Sequence, residues 1–182
     1  MKLVFLDRDG VINRFPGKGI YVVNQEDFHF LPRVFGAIRS MTEAECEIRV
    51  VSNQGCVSRG LITKKALGEM TDRMLKEIRR HGGDVREVHY CLHQKADNCV
   101  CKKPKLQLFY DAIAERTLDM RNVYFVGDSL EDMEAGKNLG CRTVLVLSGR
   151  TQEADLADFP AKPDIVKKDL WEASQWILQE KF

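Results

Sequence analysis

The chain has 182 residues, 44% apolar and 30% charged, a size and balance that suit one globular core and require no metal or disulfide merely to fold. Lys and Arg number 28 against 27 Asp and Glu, a formal charge of +1, which argues against a nucleic-acid partner, because that needs a basic face. The apolar run at the start is too short for a signal-peptide core and meets Asp7 at once, and no stretch is long enough to span a bilayer. The expectation is therefore a cytoplasmic protein with no membrane partner. In that reducing compartment the six cysteines read as core thiols, metal ligands or reactive groups, not as a disulfide framework.

Taken in order, residues 3–6 form a short continuous apolar run, the pattern of a parallel strand covered on both faces. Asp7-Arg8-Asp9-Gly10 follows, and then residues 13–25, with Pro16, Gly17 and Gly19, read as a loop and flap near the strand end. Residues 48–51 predict a second strand, followed by Ser52-Asn53-Gln54-Gly55. Leu67, Met70, Met74, Leu75 and Ile78 share one helical face, and Gly82-Gly83 stops that helix. Residues 88–90 predict a third strand, running into Cys91-Leu92-His93. Leu106, Phe109, Ala112 and Ile113 give the next helix, and residues 123–126 a fourth strand ending in Gly127-Asp128-Ser129-Leu130-Glu131-Asp132. Leu130, Met133, Ala135 and Leu139 repeat weakly before Gly140, and residues 143–147 predict a fifth strand. Residues 148–163 read as irregular with a short helical turn, and residues 170–177 as a last amphipathic helix whose Trp171 and Trp176 read as core packing, with a dimer contact the alternative. Strand–helix alternation predicts an α/β fold, a doubly wound, Rossmann-like parallel sheet with helices on both faces. With no repeat or shift in composition, residues 1–182 read as a single domain.

Ligands of such sheets bind at the carboxyl ends of the strands. Asp7, Asp9 and Asp128 would meet there, and crowded carboxylates call for a cation. Magnesium suits, since it takes few protein carboxylates and keeps waters for a phosphate. Gly10 allows a sharp departure of the chain, so Asp7 and Asp9 can face different ways, one toward metal and one toward a leaving group.

Asp7-x-Asp9-Gly10, Ser52-Asn53, Lys103-Pro104 and Gly127-Asp128-x-x-x-Asp132, in that order, resemble the four motifs of the haloacid dehalogenase superfamily of phosphatases. The resemblance implies that Asp7 attacks phosphorus and that Asp9 protonates the leaving alkoxide and then activates water. It implies magnesium held by the Asp7 carboxylate, the Asp9 backbone carbonyl and the Asp128 carboxylate. Ser52 and Lys103 would bind phosphoryl oxygens, with backbone N–H groups after Asp7 and around Asn53 adding donors. Asp132 would orient Lys103 or the metal shell, or would be an ordinary first-turn helix acid.

Cys91-x-His93 and Cys99-x-Cys101 assemble three thiols and one imidazole, a ligand set for a closed structural zinc site. The loop leads into Lys102-Lys103-Pro104, so zinc would fix the phosphate-binding lysine. This pattern resembles a capless subgroup, the heptose bisphosphate and histidinol phosphatases, and Ser52-Asn53-Gln54 is similar to its second motif, placing Gln54 at the substrate. No insertion of domain size follows Asp9 or Ser52. Arg59-Gly60 and the fourth motif look closer to the heptose enzymes. Lys102 stands where that group usually has Arg, and Ser129 where it usually has a basic residue. Arg59 reads as a contact to a distal substrate group or as a solvated loop arginine. The implied substrate is a small phosphorylated metabolite, D-glycero-D-manno-heptose 1,7-bisphosphate, handled by a monomer. Histidinol phosphate is the alternative substrate, and a catalytically inactive, zinc-stabilised interaction module the alternative function.

Overall fold

The computed structural model describes residues 1–114 and 116–180. Six parallel strands form one sheet: β1 (Leu3–Leu6), β2 (Glu47–Asn53), β3 (Glu87–Cys91), β4 (Val123–Gly127), β5 (Arg142–Val146) and β6 (Ile165–Lys167), in the spatial order β3-β2-β1-β4-β5-β6. Among the described residues, α1 (Val34–Glu43), α2 (Lys64–Arg80), α3 (Gln107–Ile113) and α4 (Leu130–Leu139) connect the first five strands in turn, and α5 (Leu170–Gln179) follows β6. The doubly wound α/β architecture expected from the strand–helix alternation is present.

Alternation along the strands divides the core. Val4, Leu6, Val50, Val126 and Val144 pack with Ala37 and Ile38 of α1, Met74 and Ile78 of α2, and Ala173 and Ile177 of α5. Leu3, Phe5, Val51 and Phe125 face the other way, onto Leu108, Phe109 and Ala112 of α3 and Ala135 of α4. Both faces of the central strands are thus removed from water, which explains their unbroken apolar sequences. Phe109 stands edge-on between Phe5 and Phe125, with centroids 5.1 and 5.0 Å away, a favoured aromatic geometry.

Two elements go beyond the sequence reading. Helix α1 was not expected, although Val34, Ala37, Ile38 and Met41 line its buried face. Strand β6 is a three-residue edge strand within the stretch that follows the irregular segment. The loop over residues 13–25 is irregular as expected, and Glu153–Asp158 is a 3-10 turn. Among the described residues no helix is long and apolar enough to cross a membrane.

The strand order reverses direction between β1 and β4, which are hydrogen-bonded neighbours. That switch point opens a crevice at the carboxyl ends of the strands, and Asp7 and Asp128 lie directly beyond those two ends.

Candidate active site

Asp7 leaves β1 with its N–H donating to the carbonyl of Val126 at 2.9 Å. Its carboxylate accepts a hydrogen bond from Lys103 Nζ at 2.8 Å. The same ammonium donates to the carbonyl of Val51 at 2.9 Å and pairs with Asp132 Oδ1 at 2.6 Å. Three acceptors satisfy three N–H bonds, so the lysine is fully bonded although only 4% exposed. Burial opposes its charge, but Asp132 and Asp7 outweigh that and hold the ammonium above its ordinary pKa. Asp7 is pushed up to about 6, by burial first, with Lys103 opposing and Asp132 and Asp9 adding repulsion.

Asp132 serves both readings given to it. Its Oδ1 meets Lys103, while Oδ2 accepts from the Ser129 hydroxyl at 2.6 Å and from the N–H groups of Ser129 and Asp128 at 3.2 and 3.3 Å. Ser129 in turn accepts from the Asp132 N–H, closing a capping box at the start of α4. Ser129, which stands where a basic residue was expected by resemblance, is thereby a helix cap.

Asp128 is raised well above the ordinary carboxylate range, by burial and then by repulsion from Asp132 and Asp7. Its Oδ2 accepts the Arg150 N–H at 2.6 Å. Glycines make room for it: a Cβ at Gly10 or Gly149 would lie 2.1 or 2.0 Å from Asp128 Oδ2, and Gly10 has φ +89°, a conformation costly for other residues. Carboxylate oxygens of Asp7, Asp128 and Asp132 lie within 4.8 Å of one another. Asp132 has both oxygens engaged, whereas Asp7 Oδ2 and Asp128 Oδ1 take no hydrogen bond from the described residues. Crowded, buried carboxylates with one free oxygen each fit a hard divalent cation such as magnesium.

Asp9 lines the same cleft. Its carboxylate accepts from Arg8 Nη2 at 2.9 Å, Asn13 Nδ2 at 2.8 Å and Gln54 Nε2 at 2.8 Å. Ser52, at the end of β2, is 2% exposed and lines the cleft. Asn53 is committed to the backbone of Lys103: Nδ2 donates to its carbonyl at 3.3 Å and Oδ1 accepts its N–H at 3.0 Å. Gln54, expected at the substrate, is instead 1% exposed and stands behind Asp9 and Ser52. Arg59 does not line the cleft; it is exposed and lies 5.7 Å from the ring of Tyr21, which does.

The cleft holds about 560 Å³, within the usual range for a small-molecule site. Asp7, Asp9, Ser52, Lys103 and Asp128 line its floor. Lys102 lines it too, with Lys105, whose clustering with Lys102 and Lys103 is visible in the sequence, and Lys18, Lys95 and Arg150 add cations that the sequence reading did not single out. Arg150 pairs with Glu131 at 3.2 Å. Its only signal in the sequence was its place after the Gly149 that follows the fifth strand.

Cys91, His93, Cys99 and Cys101 do converge, with ligand atoms within 4.8 Å of one another. Cys91 Sγ lies 3.6 Å from Cys99 Sγ, 3.1 Å from Cys101 Sγ and 3.8 Å from His93 Nδ1, and His93 Nδ1 lies 3.2 Å from Cys101 Sγ. A zinc tetrahedron with bonds of about 2.0–2.3 Å has edges of roughly 3.3–3.8 Å, so the four side chains fit zinc with little adjustment. Against the opposing effect of burial, the backbone N–H groups of Lys102 and Cys101 bring the Cys99 thiol down to about 7, which favours the thiolate a metal needs. The loop is also braced from β2: the N–H of Gln54 donates to the Cys91 carbonyl at 2.7 Å, that of Ser58 to the Leu92 carbonyl at 3.1 Å, and that of Gln94 to Ser58 Oγ at 2.8 Å.

Residues 100–173 match a family model described as HAD-hydrolase-like, that is, haloacid dehalogenase-like. The chain is 32% identical over 182 residues to the D-glycero-beta-D-manno-heptose-1,7-bisphosphate 7-phosphatase of Neisseria meningitidis serogroup A, covering 99% of this chain and 96% of that one. It is 34% identical over 154 residues to the alpha-anomer 7-phosphatase of Campylobacter jejuni, covering 85% and 87%. Its fold superimposes on the crystal structure of D,D-heptose 1,7-bisphosphate phosphatase from B. bronchiseptica, complexed with magnesium and phosphate, with a TM-score of 0.90, 32% identity and full coverage of both chains. Near-complete coverage at this identity, joined to the acids gathered at the β1–β4 switch point, places the chain in the D,D-heptose 1,7-bisphosphate phosphatase family of haloacid dehalogenase-like phosphatases.

Proposed function

We propose that this chain is a magnesium-dependent phosphatase that removes the 7-phosphate of D-glycero-D-manno-heptose 1,7-bisphosphate through a phosphorylated Asp7. The observation that carries the reading is the buried Asp7–Lys103–Asp132 chain at the floor of a cation-rimmed cleft. Phosphate monoesters hydrolyse extremely slowly without catalysis, so charge stabilisation and a covalent route are both needed.

One carboxylate oxygen of Asp7 attacks phosphorus and displaces the sugar alkoxide. Asp9 gives that alkoxide a proton and takes one from the water that later attacks the aspartyl phosphate. Ser52 donates to the phosphoryl oxygens, and Lys103 does so by exchanging its hydrogen bond to Asp7 for one to the phosphoryl group, with Asp132 holding the lysine in place. Magnesium, held by Asp7, Asp128 and the Asp9 carbonyl, would supply neutralisation of the phosphoryl charge. Lys102 together with Lys18, Lys95, Lys105 and Arg150 gives the cleft mouth a positive rim that suits a second phosphate. Zinc at Cys91, His93, Cys99 and Cys101 is structural in this reading, since four protein ligands leave no open position. The chain acts as one domain, as a monomer in the cytoplasm, on a small metabolite.

The test is phosphate release from both anomers of the heptose bisphosphate, histidinol phosphate and generic sugar phosphates, with magnesium, beside Asp7→Asn. Preference for a heptose bisphosphate, lost in the variant, is the expected result. Preference for histidinol phosphate would reject the substrate, and no release from any ester by the folded, zinc-loaded protein would reject the enzyme.

A further inference from the structure

Three side chains from two segments of the chain hold the Asp9 carboxylate. Arg8 Nη2 donates to Oδ1 and Oδ2 at 2.9 and 3.1 Å, and its Nε to Oδ1 at 3.2 Å. Asn13 Nδ2 donates to Oδ1 and Gln54 Nε2 to Oδ2, each at 2.8 Å. The Gln54 amide also reaches Ser52 Oγ at 3.3 Å. Arg8, Asn13 and Gln54 are each at most 1% exposed. The guanidinium lies 5.8 and 5.7 Å from the rings of Phe28 and Tyr90, which wall it in. A buried ion pair is seldom better for stability than apolar groups of the same volume, so the cost of enclosing an arginine here calls for a role beyond stability.

Resting on the phosphatase reading above, we propose that Arg8 and Gln54 are positioning residues for proton transfer. Arg8 fixes the plane of the Asp9 carboxylate, leaving it no freedom to rotate within the cleft. Gln54 ties that carboxylate to Ser52, and so sets the spacing between the group that serves the leaving oxygen and the hydroxyl that serves the phosphoryl group. Proton transfer demands heavy-atom reach of about 2.6–3.2 Å, and a displacement of about 1 Å can cost ~10² in rate. An aspartate on a strand-end turn, with two free torsions, would not hold such a tolerance unaided.

The experiment uses leaving groups. The ratio kcat/KM reports events up to the departure of the alcohol, and an acid matters there only when the leaving group is poor. A sugar phosphate releases an alkoxide and needs the proton; 4-nitrophenyl phosphate releases a stable phenolate and does not. Gln54→Met keeps volume and loses both hydrogen bonds; Arg8→Lys keeps charge and loses the planar fork. Each is expected to lower kcat/KM for the sugar phosphate by roughly 10- to 10²-fold and for the aryl phosphate by less than about 3-fold, with inhibition by inorganic phosphate unchanged. Equal losses on both esters, or no loss in the folded Gln54→Met protein, would overturn the proposal, and the glutamine variant decides the matter if the arginine variant does not fold. Asp9→Asn separates the two levels. If it shows the split and the Gln54 variant does not, only the positioning role fails; if it shows no split, the acid role of Asp9 fails with it.

Discussion

Replacing Lys103 with methionine removes a charge while keeping the stem that lies over Phe125, 5.1 Å from Nζ to the ring centroid. The two carboxylates it served, Asp7 and Asp132, are 7% and 1% exposed and would then face each other without a cation. Breaking a buried pair from one side costs about 3–5 kcal/mol. In a chain of this length each kcal/mol moves the melting midpoint by roughly 2–4 °C, so a fall of about 6–20 °C is expected at pH 7.5 without magnesium. Turnover should drop by about 10²–10³, the scale for losing one donor to developing charge. Because the cost comes from unpaired anions, it should shrink at pH 5, where those anions can take up protons. It should also shrink in Lys103→Met with Asp132→Asn, which removes one of them and keeps an oxygen for the Ser129 hydroxyl. Thermal melts of the parent and the two variants at both pH values make the check. A Lys103→Met protein that melts with the parent at pH 7.5, or one whose deficit is the same at pH 5, would refute the reasoning.

Magnesium affinity should depend on pH. Asp7 is pushed up to about 6 and a proton competes with the cation, so calorimetric titration should show affinity falling roughly tenfold per unit below about pH 6; a flat profile from pH 5 to 8 would be the contrary result. In the metal-free protein the same shift adds stability below the unfolded pKa of about 3.9 that is lost as pH rises through about 6, measurable as a falling melting midpoint over that window. Cys99→Ala should lose zinc, raise amide exchange across residues 92–103 and weaken turnover, and full zinc content with full activity would contradict the link from zinc to Lys103. Gly149→Ala, whose Cβ would sit 2.0 Å from Asp128 Oδ2, should lower magnesium affinity by at least about tenfold and stability by about 1–3 kcal/mol; an unchanged magnesium titration would show that Asp128 does not hold the cation.

Much of this was legible because the chemistry sits at strand ends. Continuous apolar runs marked β1, β2 and β4, and the polar residues after each were the ones the fold brought together. Helix α1 escaped because its start carries no signal: Arg33 occupies the N-cap in a left-handed conformation, with no capping side chain and no acid in the first turn. Strand β6 is three half-buried residues at the sheet edge, too short for periodicity to register. The direction of Gln54 was not readable either, since adjacency to Ser52 and Asn53 says nothing of which side of the turn its amide takes. Arg8 stands at the variable position of a motif. Nothing in the sequence told that it folds inward between Phe28, from the loop before α1, and Tyr90 of β3.

The acids assigned to the nucleophile and to the cation come from opposite sides of the place where the sheet reverses its winding. Asp7 and Asp9 follow β1 and Ser52 lies at the end of β2; Asp128 follows β4, Asp132 lies in the first turn of α4, and the loop before α3 carries Lys103. Neither part of the polypeptide owns a working set. Were the backbone cut between α3 and β4, the two pieces would each be inert, and mixing them would restore turnover only in so far as β1 found β4 again, making phosphate release a direct readout of fragment complementation across that seam.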